Sequence, residues 1–339
     1  MTPTPSSRSG KEGAALLVAL WVLIILSLIV GAFAFETILE ARLTSRKRKA
    51  FHAEMAARSG VEYARAILDA RKDAKELEIE DMTEEGDAKF MMAALYVKRG
   101  LTSVSRLKLD EDLAVVTIRP AENGRNVNLL TREQWKDIFE TANVPATEWD
   151  VMLDCLKDWI DADDNHGLNG AESDDPFYKE RGYPVKNGPL DSVEELLLIK
   201  GWGPEILYGK PADEEGDAIY GIADILTVWG DGKVNLNTAD TNTLLSYVEY
   251  EDWELASVME ARLGEDGVAG TPDDGLRSLG EVNADPNKFK LKSDFIKIVS
   301  LGDSFGVQYE IECILLNRPK NPPIVYWKEG PLREHANAR

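Results

Sequence analysis

The chain has 339 residues and is strongly acidic, with 60 Asp and Glu against 39 Lys and Arg and a formal net charge of −21. An acidic surface repels phosphate backbones, which argues against nucleic-acid binding. The length is sufficient for two globular units. Two cysteines are too few for a disulfide scaffold or a zinc protein. The sequence offers no Ser-His-Asp or Cys-His grouping, so we do not expect an enzyme.

An apolar run near the N-terminus, residues 14–35, contains no charged side chain (AALLVALWVLIILSLIVGAFAF). About 20 apolar residues cross the bilayer core as one helix, so we expect a membrane span here. Three interpretations compete: a cleaved secretory signal with a small-x-small site at residues 32–34, a generic signal anchor, and a prepilin-type leader ending at Gly13. Because a secretory signal has a shorter apolar region of about 7–15 residues, the sequence favours the leader, with cleavage between Gly13 and Ala14.

The charges that flank this run do not support an orientation in which the C-terminal side of the membrane span is exported. Arg8 and Lys11 precede the run, whereas a denser group of basic residues follows it between Arg42 and Lys49. A strict positive-inside count would place the C-terminal side in the cytoplasm. The orientation therefore depends on what the downstream sequence encodes.

The sequence after the membrane run alternates between helical and strand patterns. Residues 36–71 contain no proline and are predicted to continue the helix. Residues 104–120 have the alternation of a β-hairpin with its turn at residues 110–111. A helical block follows over residues 124–285, and an antiparallel meander begins at Phe289. Four residues are predicted to cap helices of that block: Thr131, Thr147, Thr238 and Ser192, the last in a capping box with Glu195.

This order predicts an α+β fold, in which an N-terminal transmembrane segment runs into a long helix with a small antiparallel sheet, interrupted by a large all-α insertion domain. Cys155 and Cys313 both lie in apolar patterns and are predicted core residues, and whether they form a disulfide stays open. The expected segments are a leader over 1–13, a transmembrane helix over 14–35, a helix and hairpin over 36–123, an inserted α-domain over 124–288, C-terminal strands over 289–330 and a tail over 331–339.

Two loops concentrate carboxylates and are predicted to bind Ca²⁺. In the first, oxygen donors recur at every second position from Asp161, near the spacing of calcium-binding loops, although the turn glycine is one position late for an EF-hand. In the second, acidic residues flank a glycine-rich turn. The alternative is that both are plain solvated loops. The expected ligands are Asp161, Asp163, Asn165, Glu172, Asp174 and Asp175 in the first loop and Glu265, Asp266, Asp273 and Asp274 in the second.

Two segments have the shape of helix-hairpin-helix modules, whose backbone amides hold DNA phosphates: residues 196–207 (LLLIKGWGPEIL) and residues 234–245 (VNLNTADTNTLL). A phosphate site requires positive surroundings. Lys200 and Lys210 are nearly alone beside the first segment, and acidic residues dominate positions 249–252 beside the second. We therefore interpret these segments as a helix-hairpin-helix or SAM-like architecture without nucleic-acid binding.

In their chain order, several motifs resemble the minor pseudopilin K family of type II secretion systems, from about Lys11 to Lys328. They are the Gly13-Ala14 junction, GRNVNLL, LKDWIDADD with GAESDD, LDSVEELLLIKG, GKVNLNTAD and Ser293-Asp294-Phe295. The resemblance implies a pilin-like helix and sheet interrupted by an α-domain, and calcium binding. It also implies removal of the leader by the prepilin peptidase, methylation of the new N-terminal amine, and a single-pass inner-membrane protein whose C-terminal domain is exported to the periplasm.

The resemblance further implies the partners and the position of the chain. The partners are the minor pseudopilins I and J, the prepilin peptidase, the inner-membrane secretion platform and the membrane itself. The position is the tip of the pseudopilus that drives protein export across the outer membrane, where the chain would initiate or cap the filament. Two other classes stay open: a membrane-anchored periplasmic enzyme, and a membrane-anchored periplasmic DNA-binding protein of the competence type.

Val18 provides a mechanism for the tip position. Pilins carry Glu at the fifth mature residue, where it neutralises the N-terminal amine of the subunit ahead. In this chain that position is Val18, and no acidic residue occurs in the mature chain before Glu36. A buried carboxylate is tolerated only when it is paired. A subunit without it requires no subunit ahead, as expected at the tip.

Overall fold

The structure, a computed structural model, describes residues 9–212, 217–247, 252–318 and 322–332. Its α-helices are α1 (Ser9–Ala70), α2 (Glu76–Glu80), α3 (Glu85–Arg99), α4 (Arg132–Thr141), α5 (Ala146–Ile160), α6 (Pro176–Arg181), α7 (Pro204–Leu207), α8 (Thr241–Leu245) and α9 (Asp252–Ala261). Its strands are β1 (Ser103–Leu109), β2 (Asp112–Pro120), β3 (Arg125–Asn126), β4 (Gly209–Lys210), β5 (Ile219–Tyr220), β6 (Leu226–Thr227), β7 (Val234–Asn235), β8 (Phe289–Lys290), β9 (Phe295–Ser304), β10 (Val307–Leu316) and β11 (Ile324–Pro331). Three 3₁₀ turns cover Val193–Leu198, Ala223–Ile225 and Leu279–Val282.

Helix α1 is continuous, which confirms the predicted extension of the apolar segment into a long helix. Its N-terminal part is long and apolar enough to cross a membrane, with a mean hydropathy of 3.0 and none of that window buried. Its C-terminal part packs on the sheet through small residues. Ser300 Oγ donates to Ala57 O at 2.8 Å, and a Cβ at Gly60 would collide with that same hydroxyl. Glycine at position 60 therefore allows the helix to approach the sheet closely.

Five antiparallel strands form the main sheet in the order β1-β2-β9-β10-β11. The predicted hairpin is confirmed, since Leu109 pairs with Asp112 across the two-residue turn. The predicted meander is confirmed in β9, β10 and β11. Because β2 pairs directly with β9, residues 121–294 are inserted between two neighbouring strands. The α+β fold with an interrupted small sheet is therefore correct.

The inserted residues form two apolar cores. The larger core is built around Trp135, Phe139 and Trp202, and the smaller one around Leu244 and Phe289. Three two-residue ladders, β3 with β6, β4 with β5 and β7 with β8, also occur here, so the insertion contains short strands and long connecting segments as well as helices.

Both cysteines are buried, as predicted, and neither is bonded. Cys155 belongs to the larger core of the insertion, whereas Cys313 lies between the sheet and α1. Each thiol is therefore enclosed in a different core, and the two cysteines do not form a disulfide.

Of the predicted helix caps, Thr131 is correct and Thr147 is wrong. Thr131 Oγ1 accepts from the backbone N–H of Gln134, and the Gln134 side chain accepts in return, which completes a capping box. Thr147 lies inside α5, which follows Pro145 directly. Pro145 occupies the cap position without a capping side chain, so Thr147 is a residue of the first helical turn.

The other two predicted caps are also wrong. Ser192 precedes a 3₁₀ turn and makes no capping hydrogen bond. The Glu195 carboxylate that would complete its box accepts instead from Trp159 Nε1 at 3.0 Å. Helix α8 is capped by Asp240 rather than by Thr238, because Asp240 Oδ1 accepts from the backbone N–H of Thr243 at 2.6 Å.

Candidate functional site

The membrane part of α1 is the first candidate site. The predicted cleavage junction, Gly13 and Ala14, lies within the helix shortly after its start at Ser9. All described side chains from Leu16 to Phe35 are exposed and uncharged, and Val18 is 63% exposed. A helix with an exposed apolar surface on every side packs either against lipid or against other apolar helices.

The acidic loop after α5 contains the second candidate site, which is centred on Glu172. Glu172 is only 2% exposed, and neither of its carboxylate oxygens has a hydrogen-bond partner. Asp161 Oδ1 and Asn187 Oδ1 are likewise buried without a partner. Buried polar atoms are normally hydrogen-bonded. Four unpartnered oxygen atoms on neighbouring segments are therefore suited to a cation, to which they would coordinate.

The electrostatics of this loop favour a cation. Burial raises the pKa of Glu172, and the charges of Asp158, Asp161 and Asp164 raise it further. Burial also raises the pKa of Asp161, with Asp163 and Asp158 adding to the effect. Each shift has the same origin, since a buried carboxylate beside other carboxylates resists ionisation. A divalent cation would offset both the burial of these carboxylates and their mutual repulsion. Ca²⁺ prefers carboxylate and amide oxygens as ligands. The residues present therefore fit calcium at Glu172.

Asp158 belongs to this site and is absent from the ligands predicted from sequence. It is buried at the end of α5, and both of its oxygens accept the backbone N–H of Gly167, at 3.1 and 3.0 Å. A Cβ at Gly170 would collide with the same carboxylate, so the loop wraps tightly around it. The sequence signal was available, because Asp154 and Asp158 lie four residues apart on one face of α5, and Asp161 follows directly after the helix.

The remaining predicted ligands of the first loop have other partners. Asp175 Oδ1 caps α6, and its Oδ2 lies 2.8 Å from Lys200 Nζ. Asp174 is bonded to His166 at 2.8 Å. Asp163 Oδ1 accepts the backbone N–H of Asn165. These interactions shape the loop, and the structure does not bring these side chains to Glu172.

The described carboxylates do not form a complete cage for a metal ion. Within the described ranges, no group of three or more His, Cys, Asp or Glu side chains is close enough to share a metal ion. A cation at Glu172 would therefore draw on Asp161, the Asn187 amide oxygen, main-chain carbonyls and water to complete its shell of six to eight oxygens.

The second predicted calcium loop is satisfied by the protein's own donors. Asp273 accepts from the backbone N–H groups of Glu265 and Asp266 and from the hydroxyl of Thr271. The bond from Thr271 contributes most to lowering the pKa of Asp273. Asp274 accepts from Gly270 N at 2.8 Å and from the hydroxyl of Tyr96 on α3. These contacts attach the loop to α3, and calcium binding by this loop stays a prediction.

The comparisons with known proteins agree with this architecture. The family model for type II secretion system (T2SS) protein K matches residues 106–208. The chain is also similar to one chain in the crystal structure of the GspK-GspI-GspJ complex from the enterotoxigenic Escherichia coli type 2 secretion system. That match has a TM-score of 0.55 at 15% identity and covers 86% of this chain and 99% of the other. No curated protein matches the chain.

Proposed function

We propose that this chain, which carries a type II secretion protein K domain on the fold of a pseudopilin K, acts as the minor pseudopilin at the pseudopilus tip. The observation that carries the proposal is the charge-free, exposed stretch of α1 from Leu16 to Phe35, continuous with a helix that is packed on a globular sheet. Such a helix is held by lipid before assembly and by neighbouring helices in a filament.

The position at the tip follows from Val18. A carboxylate at this position would enter the apolar interior of the filament and would require the amine of a preceding subunit to balance it. Val18 imposes no such requirement, and its aliphatic side chain is stable in an apolar interior. The chain can therefore start a filament, with every other subunit added behind it.

Partners and processing complete the proposal. The similar chain comes from a complex with GspI and GspJ, and we assign the corresponding minor pseudopilins I and J to this chain. Assembly begins when the prepilin peptidase cuts after Gly13 and the Ala14 amine is methylated. The inner-membrane platform then extracts the subunit, while the domain after α1 lies in the periplasm. Calcium at Glu172 holds the loop between α5 and α6 in one conformation.

Site-specific photocrosslinking in cells tests the tip position. A crosslinking residue in place of Leu16 should form adducts with I and J, and these adducts should disappear in cells that lack I and J. The same residue in place of Glu148, which is exposed on the insertion, reports contacts outside the helix bundle. Adducts from Leu16 to the major pseudopilin both ahead of and behind this chain would place it inside the filament and refute the proposal.

A further inference from the structure

The free edge of the main sheet borders a groove beside helix α3. Strand β1 pairs only with β2, so its other edge carries no strand among the described residues. A groove of about 820 Å³ lies between this edge and α3, and we call it the β1–α3 groove. Its walls are residues 102–107 on one side and Lys89, Met92 and Tyr96 on the other, with Tyr63 of α1 at its base.

The hairpin register determines which backbone groups point into the groove. Leu109 and Asp112 close a two-residue turn and form a hydrogen-bonded pair. Hydrogen-bonded and non-hydrogen-bonded pairs then alternate along the strand, so the N–H and C=O groups of Val104, Arg106 and Lys108 point away from β2. An incoming strand would find these three residues as its hydrogen-bonding partners.

The side chains at the edge separate into two faces. Leu107 points towards α1 and packs against the apolar core, whereas Val104, Arg106 and Lys108 are exposed on the opposite face. Inward side chains of an added strand would lie beside Met92 and Tyr96 of α3. Strand addition next to a helix is an established way to bind extended peptides, with backbone bonds giving affinity and side-chain pockets giving specificity.

The charges at the β1 edge determine which kind of extended segment can bind there. Arg106 and Lys108 form no hydrogen bond or ion pair within the part of the chain that the structure describes. Lys89 in the same groove, by contrast, pairs with Glu85. Opposite charges on adjacent strands stabilise a sheet, and like charges directly opposite destabilise it. The edge is therefore complementary to a strand with outward acidic residues.

We propose that the β1–α3 groove is a docking site for an extended segment of another protein, in which acidic residues alternate with apolar ones. The acidic residues lie beside Arg106 and Lys108, and the apolar residues enter the groove beside Met92. A second copy of this chain is a poor occupant through the same edge, because antiparallel pairing of two β1 strands would bring these basic side chains together.

Peptide binding to the full chain in nanodiscs of zwitterionic lipid tests this proposal. The probe is a fluorescein-labelled peptide of sequence Glu-Val-Glu-Tyr-Glu-Val-Glu, followed by fluorescence anisotropy. The double variant R106E and K108E should weaken binding about tenfold, since two favourable charge pairs become repulsive. The matched control is R119E, which replaces a half-buried basic group of β2 on the same face of the sheet but away from the edge, and it should bind as the unmodified chain does.

A second probe distinguishes strand addition from simple charge attraction. The same peptide with N-methyl groups on alternate residues keeps every charge but cannot donate hydrogen bonds to the edge, and it should not bind. Equal binding of both peptides, an unchanged affinity in the R106E and K108E variant, or dimers of the chain that the peptide disperses would each overturn the proposal. Because none of these readouts involves the filament, they are independent of the tip position.

Discussion

Lys290 Nζ lies 2.9 Å from Glu122 Oε1, and this ion pair joins the two segments through which the insertion leaves and re-enters the sheet. Glu122 follows β2, is 1% exposed, and its second oxygen accepts the backbone N–H of Asp294. Lys290 also reaches Asp231 at 2.9 Å. The pair therefore fixes the position of the insertion relative to β2 and β9.

Removing the cation of this pair should destabilise the fold more than removing both charges. Lys290→Met leaves a buried carboxylate unpaired and should cost about 3 kcal/mol of unfolding free energy. The double variant with Glu122→Gln should recover much of that loss, because no uncompensated charge remains. Denaturant unfolding of the full chain in detergent measures both, and a double variant no more stable than Lys290→Met would contradict this role.

The cost of Lys290→Met should depend on pH. Burial raises the pKa of Glu122 above its ordinary value, although Lys290 opposes the shift, and without Lys290 the pKa should rise further. A carboxyl with a raised folded-state pKa binds its proton more tightly in the folded state than in the unfolded state. The variant should therefore regain stability as the pH falls through the folded-state pKa, and its deficit should be largest at neutral pH and above.

Calcium should stabilise the native chain, and Glu172 should be required for the effect. A cation that binds only the native state contributes about 2.7 kcal/mol at a hundredfold excess over its Kd. Chelator should lower the melting temperature of the chain in detergent. Magnesium should restore little of it, because it dehydrates reluctantly and requires octahedral geometry.

The variant Glu172→Gln separates calcium binding from folding. It should abolish the calcium-dependent shift, while its stability in chelator should equal or exceed that of the unmodified chain because an unpartnered buried charge has been removed. The control Glu140→Gln changes an exposed carboxylate on α4 and should retain the shift. A melting curve that chelator does not move would rule out the calcium site.

Processing should depend on the small residue at position 13. Gly13→Leu should block cleavage, because a bulky side chain does not fit beside the scissile bond, and the full-length chain should accumulate in the membrane. N-terminal sequencing of the unmodified protein should begin at Ala14. A sequence beginning at Phe35 would instead identify a secretory signal.

An acid at the fifth mature position should change where the chain assembles. Val18→Glu should still insert into the membrane, since a single carboxylate near the end of the span can reach the interface. Paired with the amine of another subunit, it should allow incorporation inside the filament, which crosslinking from Leu16 would detect as contacts with the major pseudopilin. The isosteric change Val18→Thr, which adds no charge, should leave the crosslinking pattern unchanged.

Both cysteines should be unreactive in the native chain. Burial raises the pKa of Cys155 and of Cys313 to about 12, and the thiolate is the reactive form. Iodoacetamide at pH 8 should therefore label neither residue until denaturant is added, after which both should be alkylated without prior reduction. Rapid labelling of the native chain, or a requirement for reductant after unfolding, would contradict the two separate cores.

Sequence patterns predicted the parts of the fold that depend on neighbouring residues. The apolar run over 14–35 and the proline-free segment after it predicted the helix that ends at Ala70, because hydropathy and helical continuity act within one element. The alternation over 104–120 predicted the hairpin for the same reason. The fold class followed from the order of these elements, and likeness to a known family supplied the proposed position in a filament.

Tertiary structure decided which polar groups meet. The first acidic loop was predicted as a calcium site from its spacing, yet only packing buried Glu172 and the Oδ1 atom of Asp161 while placing Asp158 beside Gly167. The second loop has a similar composition, but the hydroxyl of Tyr96, distant in sequence, reaches Asp274. Local spacing specifies where carboxylates occur along the chain. Which of them remain unpartnered depends on donors from other elements, and these are positioned only when the cores form.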